Sequence, residues 1–143
     1  MLTYAPVPLG YDMYPEVQLL FIRGHGIITQ GERVEAMLAW LRDPRYSACT
    51  NALFDISSAE STPKVSDLRA LIQILKWRLP ASGPRKLAIV ATRPITFIVA
   101  RAFERLMRSN GIPLQIELFT DRESAWAWLR PDLPVDTIAS IRT

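Results

Sequence analysis

The chain has 143 residues but only one cysteine, one histidine and six glycines. A lone Cys49 cannot close an intramolecular disulfide, and one thiol with one imidazole, His25, falls short of the converging ligands that zinc or iron needs. No metal site or cofactor is therefore expected. Neither a Gly-x-Gly-x-x-Gly stretch nor a P-loop occurs, so nucleotide chemistry has no phosphate cradle, and the Gly-x-Ser-x-Gly elbow of serine hydrolases is also missing. No uncharged apolar run approaches the ~18 residues of a membrane span, and Met1 to Pro6 lacks a basic segment leading into an apolar one. These absences point to a reducing cytoplasm. The net charge of +3 is spread along the chain with no basic run, so nucleic acid is not an expected partner.

What is present is apolar material, 49% of the residues, enough for one well-buried core in a chain of this length. The expected organisation is a single domain over 1–143, with its core at 11–130 and a tail at 131–143. Tyr11 to Tyr14 and Val17 to Arg23 read as an antiparallel strand pair around Pro15-Glu16, broken by Gly24-His25-Gly26. Thr29 and Glu32 have capping-box spacing, and Val34, Met37, Leu38 and Leu41 follow at helical intervals. Asn51 to Ser57 reads as a strand, with Ser66 capping a helix that carries Leu68, Leu71, Ile72, Leu75 and Leu79. Lys86 to Thr92 is apolar without alternation, as in a parallel strand covered on both faces, and Pro94 opens a helix closed by Gly111. Leu114 to Thr120 alternates as a half-exposed strand, and Asp121 caps a last helix with Ala125, Trp128 and Leu129 inward. The fold class is thus α/β: a mostly parallel sheet of about five strands with an antiparallel N-terminal edge strand, alternating with four helices.

Taken together, Gly26-Ile27-Ile28-Thr29, Asp43-Pro44-Arg45-Tyr46, Leu53 to Ser57, Lys86 to Ala91, Ala100 to Glu104 and Phe119 to Leu129 resemble the SpoIIAA-like branch of the STAS superfamily over about residues 11–130. The resemblance implies a bacterial, generally non-enzymatic domain that contacts a regulatory protein or a small anionic or lipid-like ligand. The anti-sigma-factor antagonists of that superfamily carry Asp-Ser-Ser-Gly with a phosphorylated serine. The matching stretch here is Asp55-Ile56-Ser57-Ser58-Ala59, which keeps Asp55 and Ser57, places Ile56 at a serine position and lacks the glycine. Ser57 and Ser58 are the possible phosphosites, and the departure argues against a retained phosphoswitch.

Loops leaving the carboxyl ends of parallel strands share one edge, where ligands of open α/β sheets usually bind. That edge should gather Gly24, His25, Gly26, Asp55, Ser57, Ser58, Thr92, Arg93, Thr120 and Asp121. From these, His25, Asp55, Ser57, Thr92 and Arg93 are the ligand-binding candidates, and no catalytic residue is assigned. The competing readings are a small hydrolase-type enzyme that uses the same cluster and a phosphoserine-regulated antagonist. Trp126 and Trp128 cannot face the same way on one helix. With Trp128 inward, Trp126 becomes the exposed anchor of an expected homodimer.

Overall fold

The computed structural model describes residues 7–78 and 83–134. Five strands form one sheet in chain order, β1 (Leu9–Tyr14), β2 (Leu19–Gly26), β3 (Asn51–Ala59), β4 (Lys86–Val90) and β5 (Gln115–Phe119). The β1 and β2 strands pair antiparallel across a one-turn 3-10 segment, Pro15–Val17, and Gln18 takes a left-handed φ of 58° to start β2. All later pairings are parallel. The α/β class read from the sequence is the observed one.

The helices are α1 (Gln30–Arg42), α2 (Val65–Arg78), α3 (Pro94–Ser109) and α4 (Arg122–Leu129). Because β2, β3, β4 and β5 advance across the sheet in one direction, right-handed crossovers must lay α1, α2 and α3 on the same face. Their Met37, Trp40, Leu71, Ile72, Leu75, Ala100 and Met107 pack on Leu20, Ile22, Ala52, Leu87 and Ile89. The opposite face carries Leu19, Phe21, Leu53, Ala88 and Val90, covered by Ala125, Trp126 and Leu129 of α4.

The capping box is formed as expected: Glu32 N donates to Thr29 Oγ1 at 3.1 Å and Thr29 N to Glu32 Oε1 at 2.8 Å. Three local expectations are corrected. Ser66 lies inside α2; the helix start is held instead by Asp67, whose Oδ2 accepts from Lys64 N at 3.0 Å. Gly24-His25-Gly26 does not end the second strand, because His25 and Gly26 still pair with Ser58 and Ala59. Trp126, expected at the surface, is fully buried, and Trp128 is the half-buried one, tilted against Phe119 with a 5.8 Å centroid separation. The reason is the true inward stripe of α4. Arg122, Ala125, Trp126 and Leu129 stand at i, i+3, i+4 and i+7, which leaves Trp128 on the flank. Leu79 and the tail beyond Pro134 lie outside the described residues.

Candidate functional site

The carboxyl edge of the sheet holds two different environments, one on each face. On the α4 face, β2 and β3 run in register to Arg23 opposite Asp55, and the next pair is His25 opposite Ser58. Two steps on β2 thus match three on β3, which is a bulge. Ile56 and Ala59 both pack toward the three-helix core, so Ser57 and Ser58 occupy the space of one residue between them. The consequence is that Asp55 and Ser58 open onto the same depression as Arg23 and His25.

Asp55 closes this bulge. Its Oδ1 accepts from Ser57 N at 2.9 Å and Ser57 Oγ at 2.5 Å, and its Oδ2 accepts from Arg122 Nε at 2.6 Å. The carboxylate is only 6% exposed, so it is held by three donors where water is scarce. Arg122 comes from the first position of α4, and its guanidinium carbon sits 4.9 Å from the Phe21 ring centroid. Arg23 approaches the same ring at 5.6 Å and pairs through Nη2 with Asp12 Oδ2 at 2.5 Å. The resulting depression, about 480 Å³, is lined by Arg23, His25, Asp55, Ser58 and Arg122, with Val7, Gly10, Tyr11 and Gly24 also in its lining.

Of the candidates read from the sequence, His25, Asp55 and Ser58 line this depression. Ser57 is committed to Asp55. Thr92 and Arg93 are exposed beyond the end of β4 and do not line it. In open α/β sheets a crevice spanning neighbouring strand ends usually forms where strand order reverses and neighbouring connections leave to opposite faces. Here β2 through β5 never reverse, and the connections after β3 and β4 leave to the same side. Arg23 and Arg122 were missed by sequence reasoning. Arg122 was legible as the first member of the α4 stripe, and Arg23 as two residues beyond Phe21 on one strand face.

The three-helix face holds an apolar cavity of about 150 Å³ between the sheet and α1, α2 and α3. Ile22, Ala52, Leu71, Ile89, Ala100 and Phe103 are among its walls, and its polar lining is confined to Arg33, Tyr46, Ser61, Thr62 and Thr96. Ser61 is anchored by accepting from Ile28 N at 2.8 Å and donating to Ile28 O at 3.2 Å. Arg33, half-buried in the first turns of α1, has its pKa pushed down by burial.

A crystal structure of an uncharacterised protein of the DUF3478 family from Shewanella loihica, described as having a SpoIIAA-like fold, superposes with a TM-score of 0.53 at 17% identity. The match covers 85% of this chain and 91% of that one. This chain has the SpoIIAA-like fold. No family model and no curated protein matches it. The SpoIIAA-like neighbour is itself of uncharacterised function, so the likeness carries the architecture. In this SpoIIAA-like chain no described helix is long and apolar enough to cross a membrane.

Proposed function

We propose that this SpoIIAA-like domain is a non-enzymatic binding module for a small amphipathic, lipid-like ligand, with its apolar part between the sheet and α1 to α3 and its polar end at the carboxyl edge. The observation that carries the reading is the cavity of about 150 Å³. An apolar void of that size stays dry and accepts a benzene-sized guest. A guest there gains packing contacts that the empty space lacks. Among the described residues, Arg33, Ser61 and Thr62 supply the polar lining near the start of α1 and the β3 to α2 connection, so an anionic or hydroxyl terminus suits that end. Nothing in the reading requires His25, Asp55 or Ser57 to do covalent chemistry.

The test is a thermal-shift series with benzene, indole and straight-chain carboxylates from butyrate to octanoate. A ligand at tenfold its Kd adds about 1.4 kcal/mol, a rise in Tm of roughly 3 to 6 °C in a domain of this size. Ala52→Leu adds three carbons to the cavity wall and should abolish the response while the protein stays folded. A wild-type Tm indifferent to every compound, or an Ala52→Leu variant that responds equally, overturns the reading.

Self-association is proposed at a different place from Trp126. Near the C-terminal end of α2, Trp77 is 85% exposed. An indole this exposed suits contact with a second copy of the chain, since aromatic side chains are enriched where protein surfaces meet.

A further inference from the structure

The bulged corner on the α4 face is chemically unlike the apolar cavity, and the lipid-like reading leaves it unused. Two guanidinium groups flank one aromatic ring, Arg23 at 5.6 Å and Arg122 at 4.9 Å from the Phe21 centroid. Each is already steered by one carboxylate, yet each commits only part of its donor set: Arg122 donates through Nε to Asp55, and Arg23 through Nη2 to Asp12. A guanidinium carries five N–H donors in a fixed fork. Among the described residues no acceptor meets the Nη1 and Nη2 groups of Arg122 or the Nε and Nη1 groups of Arg23. The Arg23 and Arg122 side chains are 34% and 39% exposed, so these free donors are partly shielded from water. Their acidic partners keep them in place before any ligand arrives, which lowers the ordering cost of binding.

Beyond the arginines and Asp55 the depression is lined by the polar His25, Ser58 and Tyr11 and by Val7, Gly10 and Gly24. His25 and Ser58 stand opposite each other across the bulged pair, both exposed, and both line the same space as the two arginines. Its one lining carboxylate, Asp55, has both oxygens engaged by Ser57 and Arg122. The Asp55 carboxylate is therefore fully engaged, and Asp12, 44% exposed and paired with Arg23, is the other carboxylate bonded to the two arginines. Bidentate guanidinium forks match the oxygens of a phosphate or carboxylate group.

The geometry points to a binding site for a small phosphate monoester here, its phosphate between Arg23 and Arg122 and its hydroxyl-bearing body toward His25 and Ser58. The depression, about 480 Å³, is larger than a bare phosphate fills, which favours an ester over the inorganic ion. The site does not rest on the apolar cavity, which lies beneath the other face of the sheet.

The test follows the arginine Nε–Hε signals and the His25 and Ser58 amides by NMR during titration with inorganic phosphate, with glycerol 3-phosphate, and with sodium chloride at matched ionic strength. Expected are saturable shifts at these four residues, tighter for glycerol 3-phosphate. Arg23→Gln, whose partner Asp12 is itself half-exposed, should fold normally and weaken binding about tenfold, as the loss of one charge-assisted contact implies. His25→Ala should leave phosphate binding in place and weaken the ester. Ala52→Leu should bind both as the wild type does, which separates this site from the apolar one. Shifts that follow ionic strength alone, equal shifts at the exposed Arg45, or unchanged affinity in Arg23→Gln overturn the site. Affinity for the ester no greater than for phosphate overturns the assignment of its body. A vesicle arm with phosphatidylglycerol separates a lipid headgroup from a soluble ester: Arg23-dependent vesicle binding without soluble-ester binding overturns the small-molecule assignment.

Discussion

Removing Asp55 should reveal how much of the bulged corner depends on one carboxylate. In Asp55→Ala three donors lose their acceptor: Ser57 N, Ser57 Oγ and Arg122 Nε. They do not lose equally. The Ser57 hydroxyl is on a half-buried residue and can turn to water, and Arg122, with 39% of its side chain exposed, can re-solvate. The bulge amide of Ser57 is fixed by the backbone, and stranding a buried donor costs about 1 to 3 kcal/mol. The partly exposed ion pair adds about 1 kcal/mol after screening by solvent. The sum, about 2 to 4 kcal/mol, is a large share of the 5 to 15 kcal/mol typical of a domain but leaves it folded. Asp55→Asn keeps an acceptor for the amide and should cost about half as much. Ser57→Ala, which keeps the amide bond, should cost no more than about 1 kcal/mol. Urea unfolding followed by tryptophan fluorescence, with unchanged slope, gives the order directly. Equal losses for Asp55→Ala and Ser57→Ala would refute the claim that the carboxylate holds the bulge.

Three further outcomes are expected. Trp126 is fully buried and its Nε1 has no acceptor among the described residues, so Trp126→Phe removes an unsatisfied donor while leaving a small void. The two effects offset to within about 1 kcal/mol, against about 3 to 5 kcal/mol for Trp126→Ala; a phenylalanine variant as damaged as the alanine one would contradict this. Burial raises the Cys49 thiol to about 11 and the Tyr46 phenol to about 12. Both are neutral acids with raised native values, so their stabilisation is whole below the unfolded pKa values near 9 and 10 and fades as pH climbs through 11 to 12. Stability measured across that alkaline window should fall, and Cys49→Ala should remove its lower part. Sedimentation velocity at micromolar concentration should show a dimer that Trp77→Ala weakens; a monomeric wild type, or an unaffected variant, refutes the Trp77 contact.

Patterns that depend on neighbours in the chain were legible in the sequence, and patterns set by pairing across the sheet were not. The Thr29 to Glu32 box, the Pro94 start and the inward Leu68, Leu71, Ile72 and Leu75 of α2 follow from local periodicity and capping chemistry, and the structure has them where they were expected. The error at α4 was one of phase. A stripe counted from Ala125 admits Trp128, whereas one counted from Arg122 admits Trp126 and begins with a charged, partly exposed residue. An arginine is discounted as a core residue because burying a charge is costly, and only its partner Asp55, sixty-seven positions away, makes the second count the correct one.

The bulge escaped for the same physical reason. Asn51 to Ala59 alternates as a strand only up to Ile56, and two consecutive serines give no local sign of whether they begin a loop or widen a ladder. What decides is the partner strand, where Gly24 allows close packing: a Cβ there would lie 3.1 Å from Ile28 Cδ1. With β2 kept paired as far as Gly26, the extra β3 residue had to be absorbed inside the sheet. This turns Ser58 to the α4 face beside Asp55, while Ile56 and Ala59 stay with the apolar core. The one-way strand order that stacks α1, α2 and α3 together leaves α4 as the one helix among the described residues on the other face, and its single short stripe begins at Arg122 beside the bulge. The apolar and the polar sites are thus separated by the thickness of the sheet. Filling one should leave the other's affinity unchanged, and a coupling beyond about 0.5 kcal/mol between Ala52→Leu and Arg23→Gln would mean that the strands between them shift as one.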